Sequence, residues 1–334
     1  MNYIDTNLPN IIEAKGIHKN KLLSIIRDRK NVCGNVNIIN FLTDEMIEKI
    51  LISEPKKIHQ INLLFLKNTV ANFSLVDFSE FFEYKKKKKR TVAQQNHVDK
   101  YKTIYTFLEG IFDYEAFSKK SNDHYSAYDL SQKLDIPTCP YCNRMYTKTV
   151  VKPSKITRPA FDHWYSKSSF PLLALSFYNL IPSCNVCNSS VKGSDLFDLK
   201  THFHPYSKSD KPEQQINFKF SYYHKFYSTF RFKIINNNDF SKNSTEAFKL
   251  KDIYETHEDE ITDLRRLRDV YSEKYLEMLK KNILKGTSTS DEEIYRLAFG
   301  THIDETKFDR RPLSKMKKDI LEELGILKHL KNGI

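Results

Sequence analysis

Apolar residues recur on two periods along this chain. Val98, Tyr101, Ile104, Tyr105, Leu108, Ile111 and Phe112 follow helical spacing and predict one apolar stripe. Residues 1–130 read as mainly helical and carry no chemical motif. Residues 216–236 alternate instead. Ile216, Phe218, Phe220 and Tyr222 share one face, as do Phe230, Phe232 and Ile234, which predicts a β-hairpin closed by the polar run Asn236–Asp239. From about His257 helical spacing returns through Ile261, Leu264, Tyr271, Tyr275 and Met278. A last amphipathic helix is expected from Leu313 through Met316, Ile320 and Leu324, with Gly325 as its C′ stop. No internal repeat is visible. The expected class is α+β, mainly helical, in three regions: 1–130, 131–210 with the motifs, and 211–334 with the hairpin and the C-terminal helices.

Composition adds boundaries. The 334 residues are 40% hydrophobic, enough for a sizeable core. The chain carries 54 basic and 42 acidic residues, a net charge of +12. A basic excess favours polyanionic partners, because each Lys or Arg at a phosphate releases a condensed counterion. A Lys-rich genome would produce the same charge, so a motif must decide. Only 8 Gly are present, with no G-x-x-x-x-G-K-[ST] and no G-x-G-x-x-G, so an ATP site would have to come from another chain. The basic run Lys85–Arg90 reads as a solvated loop or helix end, with nucleic-acid contact as the alternative. No apolar run approaches the roughly 18 residues of a membrane span, and the start lacks a secretory pattern, so no membrane association and a cytoplasmic location are expected.

The chemistry concentrates between residues 139 and 193. Four of the five cysteines form two C-x-x-C pairs, Cys139/Cys142 and Cys184/Cys187, and Cys33 stands alone. In a reducing compartment that spacing points to metal rather than disulfides. Two such knuckles complete a closed tetrahedral Cys₄ site for structural Zn²⁺; four unmetallated core cysteines are the alternative. Residues 143–183 are too many for a simple zinc ribbon, so a folded element must sit between the knuckles. Asp162-His163 lies there, and Asn188 follows the last cysteine. A carboxylate and an amide oxygen suit a hard cation such as Mg²⁺ or Mn²⁺. A neighbouring His can serve as general base on a water. These are the parts of a metal-assisted phosphodiester hydrolysis.

The pattern C-x-x-C, D-H, N-L, C-x-x-C-N, K-G closely resembles the zinc-bearing subgroup of the HNH nucleases, over Cys139 to Gly193. The resemblance implies a ββα-metal core. Asp162 would be a catalytic-metal ligand and His163 the general base. Asn179 would pin the loop between the two strands, Asn188 would complete the metal site, and Lys192 would lie near the substrate phosphate. Strand one would carry Asp162-His163, a short strand two would lie near Asn179-Leu180, and the helix would begin near Cys187. Trp164 departs from the aliphatic residue usual after D-H, and is expected to pack rather than stack on a base. His202 and His204 follow the motif as either an extension of the site or an ordinary loop pair. The phrases CPYCNRMY, FDHWYSKSSFPLLALSFYNLIPSC and RPLSKMKKDILEELGI resemble bacterial HNH proteins of anti-phage defence loci, such as Septu-type systems and related retrons. In those an HNH nuclease works with an ABC/SMC-like ATPase. The expected function is thus a DNA endonuclease acting in defence with a partner ATPase. The alternatives are an RNA nuclease of the same fold, for instance on tRNA, and a zinc-stabilised nucleic-acid-binding subunit without catalysis.

Overall fold

The computed structural model describes residues 1–121, 123–152, 155–193, 195–226, 229–270, 278, 282 and 290–327. The N-terminal part folds as α1 (Pro9–Asn31), α2 (Val36–Phe41), α3 (Asp44–Ile52), α4 (Pro55–Thr69), α5 (Leu75–Lys86), α6 (Val92–Ile111), α7 (Tyr114–Ser118) and α8 (Ala127–Leu134). Short polar side chains start several of these helices. Asn35, Thr43, Ser74, Thr91 and Asp113 each accept a hydrogen bond from an amide of the first turn, a contact worth about 1 kcal/mol apiece. Along α6 every residue of the apolar stripe is buried, and Phe112 beyond its end is buried too. Lys85 and Lys86 of the basic run end α5, and Lys87 to Arg90 form the loop that follows. Arg90 donates to the carbonyls of Tyr84 and Lys85, and Lys86 to Lys89 stay exposed beside the negative end of that helix.

Small antiparallel sheets follow. β1 (Val150–Lys152) pairs with β2 (Lys155–Thr157), and β3 (Ala160–His163) pairs with β4 (Leu180–Ser183). In the second pair Asp162 faces Ile181 and His163 faces Leu180. β4 runs into a wide helical segment, Val186–Lys192, which closes with Gly193 donating to the Asn188 carbonyl at 3.1 Å, five residues back. Such i→i+5 turns are rare and occur often at functional sites. β5 (Phe218–Phe226) and β6 (Thr229–Asn236) form the hairpin that the alternation predicts, with Phe220 opposite Ile234 and Tyr222 opposite Phe232.

Helix returns earlier than His257. Asn238 caps α9 (Asp239–Ala247), and α10 (Leu250–Tyr254) follows. These pieces are too short to carry a readable period, and Lys249 breaks them apart with φ 43°. α11 (Glu258–Val270) buries Ile261 and Leu264. Tyr271 and Tyr275 lie outside the described residues, and Met278 is exposed. α12 (Asp291–Phe299) and α13 (Ser314–Glu323) are the last helices among the described residues; Leu313 precedes α13 with φ 64° and no side-chain bond to it, and Gly325 follows it with φ 78°, the left-handed stop that its lack of a side chain allows. The protein is therefore mostly helical with small antiparallel sheets. Among the described residues no helix is long and apolar enough to cross a membrane.

One hydrophobic cluster runs from Met1 to Leu327, through all three regions. The N-terminal helices grip the loop between β3 and β4. The Leu175 carbonyl lies 2.7 Å from His18 Nε2 of α1, Ser169 accepts from Tyr105 of α6 at 2.8 Å, and Ser176 donates to Ile50 of α3 at 2.6 Å. The C-terminal part grips the first cysteine turn. Tyr254 donates to the Cys142 carbonyl at 2.6 Å, and Leu313 N–H donates to the Asn143 carbonyl at 2.6 Å.

Candidate functional site

The four cysteines come together although 41 residues separate the two turns. Each turn is shaped for it. Asn143, after the first pair, takes φ 53°, which brings Asn143 N–H to the Cys139 carbonyl at 2.8 Å and Arg144 N–H to Cys142 Sγ at 3.4 Å. In the second turn Cys187 N–H points at Cys184 Sγ at 3.5 Å. All four thiols are buried and free of disulfides, and their sulfurs lie within 4.8 Å of one another. Cys142 and Cys184 Sγ are 3.8 Å apart. A tetrahedron with Zn–S arms of about 2.3 Å has edges of about 3.8 Å, so the set could hold a metal ion such as zinc. Among the described residues no oxygen or nitrogen ligand belongs to the set, and four thiolates are the donors that structural zinc sites use.

Tyr141, which lies between Cys139 and Cys142 in the sequence, is fully buried and stacked on Phe248 at 4.1 Å. Its hydroxyl donates to Asp162 Oδ2 at 2.6 Å. The other carboxylate oxygen, Oδ1, pairs with Lys192 Nζ at 3.2 Å, and Lys192 also donates to the His163 carbonyl at 2.7 Å. Burial pushes the Asp162 carboxyl up from its usual range, against the opposing pull of the Lys192 ammonium and the Tyr141 hydroxyl. Lys192 was expected at the substrate phosphate. It is buried instead and does not line the cavity, because the inward turn of Val186–Lys192 aims it at Asp162.

His163 points the other way along β3, as alternation on a strand requires. Its Nε2 lies 2.9 Å from the Ala174 carbonyl. A carbonyl only accepts, so Nε2 carries the proton and Nδ1 keeps the lone pair. Burial lowers the imidazole pKa to about 3, with the Ala174 carbonyl opposing, so the ring is neutral near pH 7. Asn179 has no exposed surface and does not line the cavity that holds Asp162 and His163. It ties both ends of the loop: Oδ1 accepts from Tyr165 N–H at 2.7 Å, and Nδ2 donates to the carbonyls of Tyr165 and Leu173 at 3.0 and 2.9 Å. Leu173 directly precedes Ala174, so Asn179 acts on His163 through the loop backbone.

Asp162, His163 and Asn188 all line one cavity of about 770 Å³, with Tyr114, Tyr128, Arg158 and Lys167 in its walls. Asn188 is half-buried and bonds Ser189 Oγ at 3.2 Å. Trp164 is packed away entirely, its Nε1 donating to the Phe203 carbonyl at 2.8 Å. His204 is buried, with Nδ1 accepting from Tyr206 N–H at 3.1 Å, and His202 stacks on Phe197 at 4.5 Å; neither lines the cavity. Tyr141, Tyr114 and Arg158 carry no motif spacing, so only the folded arrangement draws attention to them. No family model matches the chain, and neither a curated protein nor a solved structure matches it.

Proposed function

We propose that this protein is a metal-dependent endonuclease of the HNH type that hydrolyses phosphodiester bonds in DNA. One observation carries the reading: Asp162, His163 and Asn188 share a cavity beside a buried four-cysteine cluster, with the free nitrogen of His163 left unbonded by the Ala174 contact. In this reading Asp162 and Asn188 would hold Mg²⁺ or Mn²⁺, and two protein oxygens with the remainder supplied by water and phosphate is usual for such a cation. The bound metal would stabilise charge on the scissile phosphate and its leaving oxygen. His163 Nδ1 takes a proton from the attacking water, and the Ala174 carbonyl steadies the imidazolium that forms. Asn179 keeps the loop, and so the imidazole, in register. Lys192 offsets the Asp162 charge from within. The Cys₄ cluster would hold structural zinc. A partner ATPase and a role in phage defence belong to the same proposal through the resemblance of residues 139–146, 161–184 and 311–326 to HNH proteins of defence loci.

The test is cleavage of plasmid DNA and of total RNA by wild type and His163→Ala, with and without Mg²⁺. Wild type is expected to cut only with metal, and the variant to be slower by roughly 10²–10⁴-fold. A folded His163→Ala that cuts as fast as wild type would remove His163 from the chemistry. RNA cleavage without DNA cleavage would select the ribonuclease alternative.

A further inference from the structure

Cations near His163 differ in whether they are already neutralised. Lys192 pairs with Asp162, and Lys167, in the cavity wall, pairs with Glu115. Arg158 also stands in that wall, yet among the described residues it forms no ion pair. Its guanidinium is held without being neutralised. One Nη1 hydrogen goes to the Pro159 carbonyl at 2.7 Å and one Nη2 hydrogen to the Ser118 carbonyl at 3.0 Å. The rings of Tyr128 and Phe161 lie 5.0 and 5.8 Å from its central carbon. Nε is buried with no hydrogen-bond partner. A guanidinium has five N–H donors, so this one keeps donors and a full charge for an anion.

The position is continuous with the chemistry. Arg158 is close enough to Tyr114 that its charge opposes the burial that pushes the Tyr114 hydroxyl up to about 12. The Tyr114 ring in turn stands edge-on to His163 with centroids 4.3 Å apart. Arg158, Tyr114 and His163 thus form one stretch of wall.

We propose that Arg158 is the anchor for a backbone phosphate of the nucleic-acid strand, next to the phosphate that is cut. The proposal rests on the nuclease reading of this cavity and assigns to Arg158 the role that the family resemblance implied for Lys192. Its two carbonyl contacts and two flanking rings fix the fork before a strand arrives, so little side-chain freedom is lost on binding. A forked, charge-assisted contact to phosphate sets the strand's register over His163 without reading base identity.

Binding can be followed by the fluorescence anisotropy of a labelled single-stranded DNA and an RNA of the same sequence, with Ca²⁺ replacing Mg²⁺, over a salt series. Arg158→Gln is expected to weaken binding at least about fivefold and to reduce the slope of log affinity against log salt by about one. Arg158→Lys keeps the charge and loses the fork, so affinity should fall while the slope stays. A folded Arg158→Gln with wild-type affinity and slope overturns the proposal. Should the Gln variant fail to fold, Arg158→Lys decides: weakened binding at an unchanged slope supports the anchor, and wild-type affinity overturns it. Wild type that binds neither strand sinks the nuclease reading itself, an outcome distinct from a wild type and variant that bind equally.

Discussion

Asp162 illustrates how single residues in this protein are committed twice. Its Oδ2 takes the Tyr141 hydroxyl and its Oδ1 takes the Lys192 ammonium, and both side chains of the ion pair are almost without exposed surface. Removing one partner of such a pair strands the other charge in a poor solvent, typically at about 3–5 kcal/mol. Lys192→Met should therefore lower unfolding stability in urea by roughly that amount, and adding Asp162→Asn should recover much of it. Equal stability of wild type and Lys192→Met would show that the pair is not structural. At this scale Asp162, His163 and Asn188 could be named as candidates from their residue types beside the cysteine pairs, and Asn179 from the family resemblance. Tyr141 and Arg158 were not, since Tyr and Arg are common and their meaning here comes from contacts made after folding.

Elements are joined through the first cysteine turn. Asn143 Nδ2 donates to Thr138 Oγ1 at 3.0 Å and to the Phe308 carbonyl at 2.8 Å, and the Asn143 backbone carbonyl receives the Leu313 N–H that precedes α13. The same residue takes the left-handed backbone conformation that Asn tolerates better than most. Asn143→Ala loses the side-chain bonds and strains the turn, so a loss of about 2 kcal/mol is expected in thermal unfolding, with zinc content kept because the sulfurs are untouched. Wild-type stability in that variant would mean that the Asn143 side chain does not help to hold α13. The long stripe of α6, the alternation of β5 and β6 and the stop at Gly325 could all be read from pattern. α9 and α10 could not, because they are only 9 and 5 residues long on either side of a left-handed Lys249.

Across the whole molecule the flanking regions hold the site from two sides: N-terminal helices bond the β3–β4 loop, and the C-terminal part bonds the first cysteine turn. The core is continuous from Met1 to Leu327, so loss of a metal from the cysteine cluster would have no break in the core at which to stop. Purified protein is expected to carry one zinc per chain by elemental analysis, and stripping it with a chelator should lower helical circular dichroism across the chain rather than locally, because metal binding at such a site is coupled to folding. Protein that is folded and contains no zinc would overturn this.

Spacing was enough to name the cysteine quartet and the residues beside it, because C-x-x-C turns and strand alternation are local constraints that hold wherever the chain goes. The proton-bearing nitrogen of His163 needed Ala174, 11 residues away on a loop held by three helices. That Lys192 is paired with Asp162 while Arg158 has no ion pair among the described residues needed the fold as well. Which of two basic side chains is neutralised depends on where the carboxylates end up, and that is set by packing between segments distant in the chain.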